Sequence, residues 1–214
     1  ATHGLVVALA DSALRGRLFV ADFRVIQQAL PEDRTRDSRW RDKYLPTPIG
    51  VFLEAPGHYE SCDLVPLAIQ IDQRQPSETD PCDPNPVHTP EDGWAWQIAK
   101  SYFETADVQF HLSAGHTLRT HLLMEPFCLA TPRQLSESHP IHVFLEPHLR
   151  YTLATNQAAY TYATNRKKAW YEFYGGTLEI QRNIAKQDFL ERPYRDFALD
   201  KNLAARDVRT HLST

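Results

Sequence analysis

Three histidines five residues apart offer the clearest chemistry in the chain: His111, His116 and His121. They lie in the stretch 107–150, which also holds His139, His142 and His148, six of the ten histidines. An imidazole in a mostly apolar helix is either a hydrogen-bonded part of the core or a metal ligand. In a regular α-helix, five residues turn through about 500°, which leaves successive rings about 140° apart. Such rings do not meet at one ion. They do meet if the helix widens locally to a π-turn, a distortion often found at functional sites. Spacing alone therefore leaves two readings open, satisfied core histidines or a metal pair on a widened helix, and favours the first.

These side chains need long helices to place them. Thr89-Pro90-Glu91-Asp92 reads as a helix start, with a hydroxyl cap, proline in the first turn and acids at the positive end of the dipole. The helix continues with Trp94, Ile98, Ala99, Tyr102 and Ala106 at helical spacing. A second long helix is expected from about 107 to 131, kinked at Pro126 and stopped by Pro132. The segment 137–150 has two X-Pro steps, His139-Pro140 and Glu146-Pro147. Residues 150–163 and 177–190 are helical in pattern, and Gly175-Gly176 between them is a turn with no phosphate-loop context. The tail has one short helix in prospect.

The first half differs. LFVADF reads as a buried extended segment and FRVIQQAL as a helical turn before Pro31. The charged run 31–46 reads as a solvated connection. PIGVFLEA and DLVPLAIQI read as a β-hairpin or ribbon, with Pro66 at an edge or a bulge. Prolines and acids make 72–89 a surface loop. The expected fold is mainly α, with a small β-hairpin or ribbon in the first half. Residues 1–88 form the loop- and strand-rich part and 89–214 the helical part.

The 214 residues carry a formal charge of −4, so there is no electrostatic case for nucleic acid. Cys62, Cys82 and Cys128 are odd in number and far apart, so they form no metal pair. Cys128 reads as a small buried residue of its helix, and Glu125 and Arg133 as a structural ion pair or cap. A reducing, cytoplasmic setting is expected, since no signal peptide is visible in this chain. No run of about 18 apolar residues predicts a transmembrane helix.

The segment HTLRTHLLMEPFCLATPRQLSESHPIHVFLEPHLRYTLATN resembles the lipoxygenases, non-haem iron dioxygenases of polyunsaturated fatty acids. LFVADF, LVPLAIQI and PVHTPEDGWAWQIAKSYFETAD upstream, and YRDFALDKNLAARDV downstream, are similar to the same family in the same order. The resemblance implies part of the lipoxygenase helical catalytic domain and a non-haem iron cofactor. His116 and His121 match the family's His-x4-His ligands, while His111 matches a position that is not a ligand. The implied reaction removes a hydrogen atom from the carbon between two cis double bonds. Oxygen adds to the resulting radical and gives a conjugated hydroperoxide. Fatty acid and O2 are the implied partners, with peripheral membrane contact as a route to substrate. Asn156 matches a family asparagine, and Ala159 the alanine-or-glycine position that sets stereochemistry, alanine accompanying S products.

The chain also departs from the pattern. Leu112 stands where many members have a Glu or Gln that bonds across the cavity, and Ala163 where many have a bulky Leu against the substrate. The third histidine, the asparagine and the C-terminal carboxylate that complete the family's iron site do not appear, and His211 lacks their context. The chain therefore reads as a fragment of the catalytic domain that needs the remainder as its partner and has little or no activity alone. The rival reading is a non-catalytic lipoxygenase-like fragment or interaction module. A zinc hydrolase is disfavoured, because His-Glu-x-x-His is missing and no Glu adjoins His116 or His121.

Overall fold

A computed structural model of the chain describes residues 16–30, 44–56, 62–73, 85–164 and 175–192, with single positions at 198, 200, 201 and 203. The expectations for 31–43, for most of the 72–89 loop with Cys82, for His211 and for most of the tail lie outside these residues.

Four strands form one antiparallel sheet in the order β1 (Leu18–Asp22), β2 (Ile49–Pro56), β3 (Cys62–Gln70) and β4 (Val87–His88). The ribbon expected from PIGVFLEA and DLVPLAIQI is β2 paired with β3. Its register slips between Val51, opposite Ala68, and Phe52, opposite Pro66. Pro66 thus sits at a bulge, where its missing N–H interrupts no regular ladder. LFVADF gives β1 and the residue after it, but only its end is buried: Val20 is 62% exposed, while Phe23 belongs to the main core. As an edge strand of an antiparallel sheet, β1 has one face open to solvent. FRVIQQAL gives the short helix α1 (Arg24–Ala29).

Thr89 starts a single 3-10 turn (Pro90–Asp92), in which the Asp92 carboxylate accepts from the Thr89 N–H at 2.7 Å. Gly93, with φ of 57°, then re-aims the chain into α2 (Trp94–Phe110). The buried stripe of α2 is Trp96, Ala99, Ala106 and Gln109, while Trp94 and Ile98 are exposed. The apolar face expected from periodicity is therefore only partly the buried one: Ala99 and Ala106 lie on the covered stripe with Trp96, while Trp94, Ile98 and Tyr102 lie beside it.

Beyond Phe110 the chain does not break. It passes into a π-helical segment (His111–His121), a 3-10 turn (Leu122–Met124) and α3 (Glu125–Gln134). The separate helix expected over 107–131 is thus a continuation of α2. Pro126 lies in the first turn of α3, where its missing N–H costs nothing, so it marks a start and not a kink. Pro132 does not stop the helix either. Its φ suits a helix, and α3 runs two residues further, to where the Leu135 N–H bonds Thr131 O at 3.1 Å. The X-Pro segment folds as α4 (Pro140–Leu149), with Pro140 in its first turn and Pro147 tolerated near its end. Then come α5 (Thr152–Thr164) and, after the turn at Gly175-Gly176, α6 (Leu178–Glu191).

The main core joins α1, α2, the π segment and α6 through Ile26, Ala106, Ala114, Ile180 and Ile184, each at most 1% exposed. The sheet docks on α2 through Phe103. Its ring stands edge-on to Phe23 and Phe52 at 5.3 and 5.2 Å. Gly50 makes this possible, because a Cβ there would lie 2.6 Å from Phe103 Cε2. With two rings flanking it, Phe103 has little room to yield. Gly50→Ala should therefore destabilise the chain by about 1–3 kcal/mol through overpacking. Denaturant unfolding measures this, and Phe103→Leu in the same background should recover part of the loss.

Candidate metal centre

The π segment is the element that brings the histidines together. Its widened turns let residues five apart share a face. The Thr120 hydroxyl donates to Gly115 O, five residues back, at 3.0 Å. His116 Nε2 and His121 Nε2 then lie 2.9 Å apart, with the rings 4.7 Å between centroids. The widening that the spacing demands is present. His111 stacks on His116 at 6.2 Å and 15°, outside the convergent pair. Gly115 makes room for it, since a Cβ there would stand 3.2 Å from His111 Nδ1. Burial, and then the neighbouring His121 and His111, push His116 below the ordinary imidazole pKa.

His121 is oriented from its other nitrogen. Its Nδ1 lies 2.8 Å from Asn156 Oδ1. Asn156 is buried, and its Nδ2 donates to Glu125 Oε1 at 2.7 Å and reaches His121 O at 3.3 Å. Asn156 comes from α5, which returns toward α3 after a reversal at Tyr151, whose φ is 65°. That left-handed residue costs about 1–2 kcal/mol, offset by the packing it permits. With Nδ1–H donating to Asn156, the free lone pair of neutral His121 is on Nε2, facing His116.

The pair fits a metal as two of its donors. Nitrogens 2.9 Å apart, each about 2.1 Å from a shared ion, subtend about 90° there, as neighbouring octahedral ligands do. A ligating imidazole whose other nitrogen is tied by a hydrogen bond is the usual arrangement at metal sites. Among the described residues, no group of three or more His, Cys, Asp or Glu converges as a donor set.

The other singled-out residues divide clearly. Leu112 is half-buried on the π segment, and Ala159 is exposed on α5, three residues past Asn156. Ala163 lies in the last turns of α5, and its side chain is outside the described set. The other histidines of 107–150 have structural contacts: His139 Nδ1 accepts from the Ile141 N–H at the start of α4, His142 Nδ1 lies 3.2 Å from Leu135 O, and His148 packs on Phe144. Arg150 pairs with Glu146. Cys128 is half-buried, not fully buried as expected. Glu125 belongs to the histidine network, not to an ion pair or a cap. Nothing local to Glu125 could reveal this, because Asn156 is 31 residues away. Sequence reasoning also misses Arg119. It bonds Asp188 of α6 through Nε at 2.9 Å and a second parallel contact, and so ties the π segment to α6.

A family model described as Lipoxygenase matches residues 51–172. The chain is 32% identical over 203 residues to "Hydroperoxide isomerase ALOXE3" of Homo sapiens, covering 91% of this chain and 26% of that protein. It is 35% identical over 153 residues to "Linoleate 9/13-lipoxygenase" of Pseudomonas aeruginosa, covering 71% of this chain and 22% of that one. The crystal structure of Delta413-417:GS LOX superposes with a TM-score of 0.68 at 26% identity, over 92% of this chain and 28% of the other. The chain spans about a quarter of the length of these relatives.

The Arg119–Asp188 pair predicts its own consequence. Asp188 is 7% exposed and Arg119 only partly so. Asp188→Asn should cost about 1–3 kcal/mol, because it leaves a guanidinium without its charged partner. Thermal unfolding with and without salt checks this, and an unchanged midpoint would contradict the docking role.

Proposed function

The chain belongs to the lipoxygenase family, and from that premise we propose that the protein carrying it is an iron-dependent dioxygenase of polyunsaturated fatty acids. The observation that carries this reading is the 2.9 Å convergence of His116 Nε2 and His121 Nε2 within the matched span. His116 and His121 are the iron ligands contributed by this chain. Bound iron supplies the one-electron chemistry that removes hydrogen from an activated carbon. His121 is held for that task by Asn156, and His111 only packs beside the pair. Imidazole nitrogens suit iron as donors. The substrates are a fatty acid of the linoleate, linolenate or arachidonate class and O2, and the product is a conjugated hydroperoxide. The Pseudomonas aeruginosa relative, named for linoleate, supports this substrate class.

Ala159 is the proposed control of stereochemistry. It follows Asn156 by three residues, so both lie toward one side of α5. Its methyl group hinders one approach of oxygen. Leu112 and Ala163 leave their positions without a polar link and without a bulky clamp, respectively.

The test uses the purified full-length protein that carries this chain, with bound iron quantified and O2 uptake followed beside conjugated-diene absorbance. Iron at one equivalent and coupled uptake of linoleate and O2 are expected. His121→Ala should weaken iron binding by at least about 100-fold, more than loss of a supporting residue does. Turnover that survives loss of both His116 and His121 would overturn the assignment. A relative named as a hydroperoxide isomerase supplies a second arm. Consumption of added hydroperoxide without O2 uptake would favour that chemistry. Ala159→Gly should shift the product from S toward R, as chiral separation of the hydroperoxides would show.

A further inference from the structure

We propose that Glu125 is a positioning residue for the histidine pair, acting through Asn156 to hold His121 with its proton on Nδ1. Its consequence for metal binding rests on the reading above. An asparagine amide can face its partners either way, and the partners decide. Glu125 Oε1, 2.7 Å from Asn156 Nδ2, accepts hydrogen bonds when ionised. The backbone oxygen of His121, 3.3 Å from the same nitrogen, is also an acceptor. Both hold the amide N–H2 on their side and leave Oδ1 toward His121 Nδ1 at 2.8 Å. That nitrogen must then donate, and Nε2 keeps its lone pair toward His116 Nε2.

The carboxylate is the stronger of the two restraints. Charge-assisted hydrogen bonds are roughly twice as strong as neutral ones, and the backbone contact is 0.6 Å longer (3.3 against 2.7 Å). Glu125 occupies the first turn of α3, where the helix dipole favours negative charge. Without Glu125, the amide is free to turn and present Nδ2 to His121 Nδ1. The proton then moves to Nε2 and occupies the lone pair that a ligand needs. The arrangement is a carboxylate–histidine link lengthened by one amide. The three residues come from α3, α5 and the end of the π segment, so the link also ties three elements to one ring.

The experiment labels histidine with 15N in the metal-free full chain and reads the His121 tautomer by NMR, then titrates Co2+. The unaltered chain should show His121 with its proton on Nδ1. Glu125→Ala should populate the Nε2–H form and weaken Co2+ binding about 10- to 100-fold. Glu125→Gln keeps an acceptor for Asn156 and should restore most of both. Glu125→Leu, which keeps the volume, replaces Glu125→Ala if the latter does not fold. An unchanged tautomer in Glu125→Ala or Glu125→Leu overturns the proposal, even if Co2+ still binds. Failure of the unaltered chain to bind Co2+, with a tautomer that still responds to Glu125, overturns the metal reading and supports the link.

Discussion

The centre depends on the pitch of eleven residues. A regular α-helix over His111–His121 would point His116 and His121 in different directions, and neither the metal pair nor the Asn156 contact would exist. Closing the turns five residues apart brings two imidazole nitrogens to 2.9 Å. That geometry is less favourable for the backbone than an α-helix, so the surroundings must hold it. The Thr120 hydroxyl helps locally by donating to Gly115 O.

The larger support is tertiary. Ala114 buries one side of the segment in the core that Ile180 and Ile184 complete from α6, and Leu118 is buried on the same segment. Arg119 adds the link to Asp188, with its guanidinium 5.5 Å from the Phe110 ring. On the other side, α5 reaches the pair through one buried side chain, Asn156. The core holds the segment, and the segment and α5 hold the rings. A loss of packing far from the histidines would therefore be felt as a change in their separation.

Much of this is legible in the sequence, and the gaps have physical causes. The five-residue spacing of His116 and His121 by itself requires a widened helix if the two rings are to meet. Pairing of β2 with β3, and Pro66 at the bulge, follow from alternation and from a residue without an N–H. Proline misleads where it is read as punctuation. Pro126, Pro132, Pro140 and Pro147 all lie within helices, the first and third in first turns where no N–H is needed. The buried face of α2 departs from the periodic one because the stripe that is covered is set by the sheet and α6, which pack on it from elsewhere in the chain. Glu125 and the Arg119–Asp188 link are illegible because their partners are 31 and 69 residues away. Asn156 is visible only through its resemblance to a family position, and its bond to His121 is a property of the fold.

Anomalous diffraction at the iron edge, on crystals of the protein grown with iron, tests whether His116 and His121 share one iron ion. A single peak is expected about equally distant from His116 Nε2 and His121 Nε2, at roughly 2.1 Å from each. His111 should lie outside bonding reach, and the 111–121 turns should close five residues apart. An iron peak bonded to only one of these rings, or a regular α-helix through the segment, would contradict that arrangement.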